Sequence, residues 1–297
     1  MSMPGCTLPA FTPIGDDNAL TVRFWGVRGS VPLCCDQNRK FGGNSPCVEI
    51  WCGNRLFIVD AGSGIVPLGM RLLGQDAIRS VDILLSHLHV DHVVGLPFFK
   101  PAHREGWTVR TYTGNLNGES GKAALDRMYS PPLFPLMLDQ FPCRFEHIGF
   151  HAGETLTFAD GAQIATCPLD HPGGATAYRF DHGGRRICYV SDLEHREDWP
   201  PSQLVDFVAG ADLVIFDAMF TEAEYRGCRG WGHSTCAAGL ALCKASEAKA
   251  MAAFHLNPWH DDAFLEERGK VIEDCLPGSF VAREGMTLSY PALVPVA

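Results

Sequence analysis

The stretch SHLHVDH, residues 86–92, indicates both fold and chemistry, because it sets three histidines and an aspartate within six residues. It directly follows Val81–Leu85, a run that is apolar except for Asp82 and that predicts a buried strand. Alternate side chains of an extended segment point the same way, so His87 and His89 can reach one metal ion together. The pattern therefore predicts a metal site at the end of a buried strand.

Asp91 and His92 lie just beyond this pair, in a turn, and can face a second metal ion beside the first. Imidazole and carboxylate ligands suit Zn²⁺, and also Mn²⁺ or Fe. The alternative is a set of exposed turn histidines, but so dense a group directly after a buried strand favours metal binding. We therefore expect two divalent metal ions, with Zn²⁺ as the first choice.

Four ligands cannot complete the shells of two metal ions, and the chain offers further histidines and aspartates at strand ends. Each follows a predicted apolar strand: His171 after 162–167, Asp192 after Ile187–Val190 and His255 after Met251–Phe254. Strand ends gather distant residues at one edge of a sheet, so these three are candidate ligands. Any one of them alone would fit a surface residue, or a residue that supports a ligand, equally well.

Short strands and turns alternate along the chain, with helices between them. In the first half we predict strands at Leu20–Trp25, Cys47–Cys52 and Leu56–Val59, helices from Asp60 through Leu73 and over 119–130, and an irregular Pro-rich stretch at 131–150. In the second half we predict strands at 155–158, 162–167, 176–180, 186–190, Asp212–Phe216 and Lys249–Phe254, helices at Ser234–Ala245 and 261–275, and two short closing strands. Ser234 is a candidate N-cap.

Two β-rich halves with helices, and no linker between them, predict an α/β fold of two sheets packed face to face with helices outside. We expect one domain over residues 20–297, preceded by a short disordered lead at 1–19. That lead lacks the basic start and long apolar stretch of a secretory signal, which favours a cytoplasmic protein. The apolar runs fall far short of the ~20 residues that a membrane span needs.

The overall charge narrows the class of substrate. The chain has 24 Lys and Arg against 34 Asp and Glu, a net charge of −10, whereas proteins that bind long nucleic acids usually carry a basic surplus. A small anion would have to be attracted by metals or by a few local cations. The twelve cysteines form no CxxC pair, and we expect reduced thiols that take no part in catalysis.

Seven stretches carry a resemblance to a known family: FWGVRGSVP (24–32), FGGNSPCVEI (41–50), FIVDAGSGIVPLG (57–69), SHLHVDHVVGLPFF (86–99), YVSDLEH (189–195), DAMFTEAEY (217–225) and GWGHST (230–235). In this order they resemble the metallo-β-lactamase superfamily, over about residues 20 to 262. Within it, they are most similar to the branch of ribonuclease Z and cyclic phosphodiesterases. The resemblance implies an αββα sandwich of two mixed sheets flanked by helices.

The resemblance also assigns the ligands. It implies that one metal ion is held by His87, His89 and His171, the other by Asp91, His92 and His255, and that Asp192 bridges both. Asp60 would hydrogen-bond a ligand histidine from behind. Asp91 is expected to contribute to catalysis as well as to metal binding.

His233, in GWGHST, matches a catalytic histidine of the branch that is not a metal ligand. Hydrolysis of a phosphodiester by a metal-bound hydroxide also needs an acid or cation near the phosphate or the leaving oxygen, and a histidine there fits. The residues alone weigh this role evenly against a histidine that caps the following helix. His195, three residues after Asp192, either lines the substrate pocket or forms a surface turn.

One departure from ribonuclease Z bears on the substrate. Those enzymes carry a long tRNA-binding arm between the third ligand histidine and the bridging aspartate, but only 20 residues separate His171 from Asp192. We therefore predict a phosphodiesterase for a small phosphodiester, such as a cyclic nucleotide, and leave a homodimer open. Hydrolysis of a lactone, ester or thioester is the alternative, RNA processing comes after it, and a di-iron redox role or a metal-free binding protein fits the motifs poorly.

Overall fold

The computed structural model describes residues 18–114 and 118–293. Most of the lead predicted at 1–19 lies outside the described residues, and Ala19 already begins the first strand. The chain forms two sheets of seven strands each, with helices on their outer faces. This is the αββα sandwich that the sequence predicts. In the described residues, no helix combines the length and apolar character needed to cross a membrane.

The first sheet has the strand order β14-β1-β2-β3-β4-β5-β6. Its strands are β1 (Ala19–Gly26), β2 (Cys47–Cys52), β3 (Arg55–Val59), β4 (Ser80–Leu85), β5 (Thr108–Thr113), β6 (Arg144–Gly149) and β14 (Thr287–Pro291). Pairing is antiparallel from β14 to β3 and parallel from β3 to β6. A hairpin at Gly53-Asn54 joins β2 to β3.

The second sheet has the order β13-β12-β11-β10-β9-β8-β7. Its strands are β7 (Thr155–Thr157), β8 (Gln163–Leu169), β9 (Ala175–His182), β10 (Arg185–Val190), β11 (Leu213–Asp217), β12 (Met251–Phe254) and β13 (Phe280–Val281). Pairing is parallel from β10 to β13 and antiparallel from β7 to β10. Strands β3, β4, β8, β10, β11 and β12 end at the edge where the candidate site lies.

In the part of the chain that the structure describes, seven α-helices cover the sheets or connect their strands: α1 (Ile65–Leu72), α2 (Val90–Val93), α3 (Gly121–Met128), α4 (Ser202–Val208), α5 (Glu222–Tyr225), α6 (Cys236–Ser246) and α7 (Asp262–Cys275). Short 3₁₀ turns lie at Asp36–Asn38, Leu96–Phe98, Lys100–His103 and Leu138–Gln140. Both faces of β3 are buried: Phe57 and Val59 face the second sheet, whereas Ile58 packs with Ile65 of α1. That explains why Leu56–Val59 of β3 is an unbroken apolar run, since alternate side chains serve two cores.

Two tyrosines of the second sheet form hydrogen bonds to the first sheet. Tyr178 on β9 donates its hydroxyl to the carbonyl of Leu85, at 2.7 Å. Tyr189 on β10 donates to Asp60 Oδ2, at 2.6 Å. Both tyrosines are fully buried, so their hydroxyls need these acceptors. The two bonds tie the sheets together directly beneath the ends of β3 and β4.

Two local predictions were wrong. The stretch 131–150, expected to be irregular, contains β6, an edge strand whose residues are at most half-buried and which therefore lacks apolar alternation. Ser234 does not cap α6: Thr235 accepts the hydrogen bond from Ala238 N, and Ser234 Oγ bonds His195 instead. Four elements were not predicted: β5, α4, α5 and α2, where Asp91 and His92 were expected in a turn.

Candidate metal centre and active site

The candidate site lies where strands of both sheets end, which is where open α/β sheets commonly bind ligands. The predicted residues follow these ends in turn: Asp60 after β3, His87 and His89 after β4, Asp91 and His92 in α2, His171 after β8, Asp192 after β10 and His255 after β12. Of these, only His89 is exposed. The fold thus brings together all seven proposed ligands.

The donor atoms of these residues fall into overlapping groups, within each of which they lie no more than 4.8 Å apart. The groups are His87, His89 and His171; Asp91, His92 and His255; His87, His92 and Asp192; and Asp192, Asp217, His233 and His255. The first two groups each combine side chains from both sheets. Each of the four could hold a metal ion, and Asp192 belongs to two of them.

In the first group, each imidazole ring has one nitrogen that could bind a shared metal ion. His171 Nδ1 lies 2.7 Å from the carbonyl of Gly232, so its Nε2 faces inward, 3.1 Å from His89 Nδ1. His87 Nε2 is buried and has no hydrogen-bond partner. A buried nitrogen without a partner, with two further imidazole nitrogens beside it, is costly unless a cation binds among them. This arrangement fits a metal ion.

The second group is organised by a carboxylate behind it. His92 Nδ1 lies 2.8 Å from Asp60 Oδ2, so His92 Nε2 faces His255 Nε2 at 3.2 Å. Asp192 Oδ2 lies 3.2 Å from His92 Nε2. Asp192 Oδ1 is buried without a hydrogen bond, although His255 Nε2 lies 3.2 Å away, while Asp91 Oδ2 approaches the same nitrogen at 3.1 Å. Two carboxylates and two inward nitrogens again fit a cation.

Three of these residues adopt left-handed backbone conformations that residues other than glycine rarely take. Asp60, Asp192 and His255 have φ angles of 61°, 65° and 52°. Each comes within two residues of a strand end, where the chain turns sharply to aim the side chain inward. Such conformations cost free energy and persist only where the surrounding fold enforces them. The strain is concentrated at the candidate site.

The charge states of His87, His89, His171 and Asp192 suit metal binding. Burial, and then repulsion from neighbouring His92, holds the pKa of His87 well below its ordinary value. Burial likewise lowers the pKa of His89 and of His171. For Asp192, burial opposes ionisation, but the surrounding histidines outweigh it and its pKa lies well below the ordinary range. Neutral imidazoles and ionised carboxylates are the forms that bind metals. Burial would lower the pKa of His92, but Asp192, Asp91 and Asp60 raise it well above its ordinary value, so His92 must lose a proton to bind a metal.

His233 lies beside the cluster and is held by a carboxylate that sequence analysis missed. Its Nδ1 lies 2.9 Å from Asp217 Oδ2, and its ring stacks on His255 with centroids 4.8 Å apart. Burial would lower the pKa of His233, but the carboxylates of Asp217, Asp192 and Asp91 outweigh it and raise that pKa to about 9. Because Thr235 caps α6, His233 is not the helix cap.

Asp217 shares the feature by which the other candidate residues were chosen, a polar side chain at the end of an apolar strand. It is buried and ends β11. Its Oδ1 accepts a hydrogen bond from Met219 N, which leaves Oδ2 for His233. His195, by contrast, is in none of the metal-binding groups. Its ring stacks on Tyr225, with centroids 4.0 Å apart, and lines a neighbouring cavity.

The segment after β1 supports two members of the second group. Ser30 N donates to Asp91 Oδ2 at 2.8 Å. A Cβ atom at Gly29 would lie 2.4 Å from the ring of His255, so only glycine fits against that ring.

Arg28 fixes the loop that follows His255. It is completely buried, and its guanidinium donates to three main-chain carbonyls: Gly42 at 2.9 Å, Asn257 at 3.0 Å and His260 at 2.6 Å. The last two carbonyls belong to the loop. The planar group therefore cross-links the segments on either side of the second group.

We expect Arg28→Ala to lower the free energy of unfolding by about 3 kcal/mol or more, because it leaves three carbonyls without donors and opens a void. Urea denaturation followed by circular dichroism measures this loss. Arg39→Ala is the control: the Arg39 side chain is 80 % exposed and pairs only with exposed Asp36, so we expect a change within about 0.5 kcal/mol. Equal stability of both variants would contradict the role of Arg28.

Comparisons with known proteins agree with this geometry. A family model described as the beta-lactamase superfamily domain matches residues 55–256. A ribonuclease Z of Bradyrhizobium diazoefficiens is 24% identical over 315 residues, covering 88% of this chain and 96% of the relative.

Solved structures share the fold. The metallo-beta-lactamase fold protein YhfI from Bacillus subtilis superposes with a TM-score of 0.68 at 18% identity, covering 92% of this chain and 100% of that one. A diphosphatase from the PhnP family superposes with a TM-score of 0.66 at 18% identity, covering 93% and 99%. At these identities the likeness concerns the fold alone.

Proposed function

Because the chain belongs to the metallo-β-lactamase superfamily, and to its ribonuclease Z-like branch, we propose that it is a metal-dependent phosphodiesterase that hydrolyses a small phosphodiester. The observation that carries this proposal is the pair of His233 and Asp217 beside the ligand cluster. Hydrolysis of a phosphodiester needs an acid at the leaving oxygen, and this pair supplies one next to the expected position of the phosphate.

We assign two divalent metal ions to the cluster, with His87, His89 and His171 on one, Asp91, His92 and His255 on the other, and Asp192 between them. Zn²⁺ suits these ligands best, and Mn²⁺ or Fe would also be accepted. When bound, two such ions supply Lewis acidity and an activated water molecule. Side chains of the protein supply the remaining functions, which are holding a proton and orienting the histidine rings.

His233 is placed to hold a proton for the leaving oxygen. Asp217 bonds Nδ1 and fixes the orientation of the ring, which leaves Nε2 to face the substrate. Asp60 plays the corresponding part for His92, since its carboxylate fixes which ring nitrogen points inward. Asp91 and Asp192 add negative charge that holds the cations in place.

A small substrate is favoured over a long RNA. The stretch between His171 and Asp192 is occupied by β9 and β10, joined by a tight turn at Gly183 and Gly184. The net charge of −10 would repel a polyanion. The alternative, hydrolysis of a lactone, ester or thioester, would use the same metals but would leave the His233–Asp217 pair without a clear purpose.

A substrate panel tests the proposal. Purified protein with Zn²⁺ or Mn²⁺ should hydrolyse bis(p-nitrophenyl) phosphate and at least one cyclic nucleotide, and should leave a lactone and a thioester intact. A chelator should abolish turnover and added metal should restore it, with about two ions per chain by metal analysis. His151→Ala, an exposed histidine outside the cluster, serves as the control. Turnover of only the lactone or thioester would establish the alternative.

A further inference from the structure

A large cavity lies beside the metal-ligand cluster, not in it. Its volume is about 1000 Å³, and residues from three segments line it: 167–170; 193–199, 201, 203 and 204; and 225, 229 and 230. None of the seven proposed ligands lines it, but Asp170 precedes His171 and Leu193 follows Asp192. The cavity therefore adjoins the site through residues next to the ligands. Its size is that of pockets that hold small organic molecules.

The walls of the cavity are held in place by bonds within the chain. His195 stacks on Tyr225, with ring planes inclined by 25°, and the Tyr225 hydroxyl donates to the carbonyl of His195. Trp199 lies edge-on to His195, with ring centroids 6.1 Å apart, and its Nε1 donates to the carbonyl of Ala238 at 2.8 Å. Three aromatic side chains thus form a pre-organised surface, which lowers the entropic cost of binding.

One wall of the cavity is also a wall of the metal centre. The carboxylate of Glu194 accepts hydrogen bonds from Gly230 N at 2.7 Å and Gly232 N at 3.0 Å. The carbonyl of Gly232 in turn accepts from His171 Nδ1. His195 Nδ1 lies 2.8 Å from Ser234 Oγ, next to His233. The cavity and the metal-ligand cluster therefore share the segments 194–195 and 230–234.

The charges around the cavity define what it can accept. Asp170 is paired with Arg196, and Glu194 is occupied by main-chain donors. Arg229 has no ion-pair partner in the described part of the chain, and its guanidinium lies 5.9 Å from the centre of the Tyr225 ring. Glu197 and Asp198 also line the cavity and add negative charge, and neither forms an ion pair within residues 18–114 and 118–293. A second phosphate is disfavoured there, whereas a neutral planar group can stack and receive hydrogen bonds from the guanidinium.

We propose that this cavity binds a neutral, planar aromatic ester group of the phosphodiester substrate. The inference rests on the proposed function and deepens it, because it names the substrate class: a diester with one phosphate and one bulky aromatic arm. The phosphate would lie at the metals and the arm against the His195–Tyr225 stack. A polymer with further phosphates would meet the acidic side of the cavity.

Two substrates with the same leaving group test the proposal: methyl p-nitrophenyl phosphate and 2-naphthylmethyl p-nitrophenyl phosphate. The parent protein should prefer the naphthylmethyl diester by about 10-fold or more in kcat/KM, the usual worth of a filled apolar pocket. Gln203→Trp places an indole in the cavity from an exposed position on α4, and should remove that preference while leaving the methyl diester within about twofold. Arg229→Gln should reduce the preference about threefold.

Ser202→Trp is the matched control, because Ser202 is equally exposed on the same helix but does not line the cavity. It should leave both substrates unchanged. Binding of 2-naphthylmethanol, followed by saturation-transfer NMR, should be lost in Gln203→Trp and kept in Ser202→Trp. No preference in the parent protein, or equal effects of both tryptophans, would overturn the inference alone. Binding of the alcohol without turnover of any phosphodiester would instead overturn the proposed function.

Discussion

Asp192→Asn should lower kcat/KM for phosphodiesters by about 10³-fold or more in a chain that remains folded. The carboxylate directs one oxygen to each side of the cluster, with Oδ2 near His92 and Oδ1 near His255. An amide would lose the negative charge, and its NH₂ group would face imidazole or cation instead of an oxygen. Metal ions supply several kcal/mol of transition-state stabilisation, and that contribution depends on the position of both ions.

Three measurements distinguish this loss from unfolding: circular dichroism, metal content and steady-state rates with saturating Zn²⁺ or Mn²⁺. Asp212→Asn is a suitable control, because it also changes a buried carboxylate of the second sheet, near the opposite end of β11. Asp212 pairs with Arg185 and Lys249, so its loss should reduce stability but leave kcat/KM within a few-fold. Activity of Asp192→Asn within a few-fold of the parent would remove Asp192 from the site.

His233→Ala should reduce hydrolysis of phosphodiesters by about 10²–10⁴-fold, the usual contribution of a positioned acid–base group, while metal content and folding persist. The loss should be largest for a poor leaving group such as a ribose hydroxyl, which must receive a proton as it departs. It should be smaller for p-nitrophenolate, which leaves without one. Simple charge stabilisation of the phosphate by His233 would instead slow both substrates alike.

Asp217→Asn tests the same pair of side chains from its other member. It keeps a hydrogen-bond acceptor for His233 Nδ1 but removes the charge, so we expect the same leaving-group pattern with a smaller loss. If His233→Ala depletes the metal content, His233 is a ligand. If it hydrolyses every phosphodiester at the parental rate, the lactone or thioester alternative should replace the phosphodiesterase assignment.

The sequence predicted two packed sheets, and candidate ligands at the ends of strands, because both follow from local patterns. Apolar strands are visible as runs of β-branched and aliphatic residues, and a polar residue directly after such a run marks the end of the strand. His171, Asp192 and His255 could be selected in this way, although the residues alone did not identify them as ligands. Their meeting point depends on strand order, which the pattern does not encode.

Other features could not be predicted for physical reasons. Asp217 carried the same signal as Asp192, but its role depends on His233, a partner 16 residues away on another segment. Arg28 lies beside glycine in an ordinary turn sequence. Its contribution to stability becomes visible only in the structure, where it is buried against three carbonyls. The edge strand β6 carries Arg144, Glu146 and His147, so its sequence resembles that of a loop.

The division of the site between two sheets has a consequence for how the sequence can diverge. Each ligand trio takes two side chains from the first sheet and one from the second, so the distance between the sheets sets the distance between ligands. That distance depends on large interior side chains such as Phe57, and on the hydroxyls of Tyr178 and Tyr189. Interior substitutions must therefore conserve volume to keep the ligand spacing. In this architecture, substitutions in the hydrophobic interior are limited by the ligand spacing that the site needs as well as by stability.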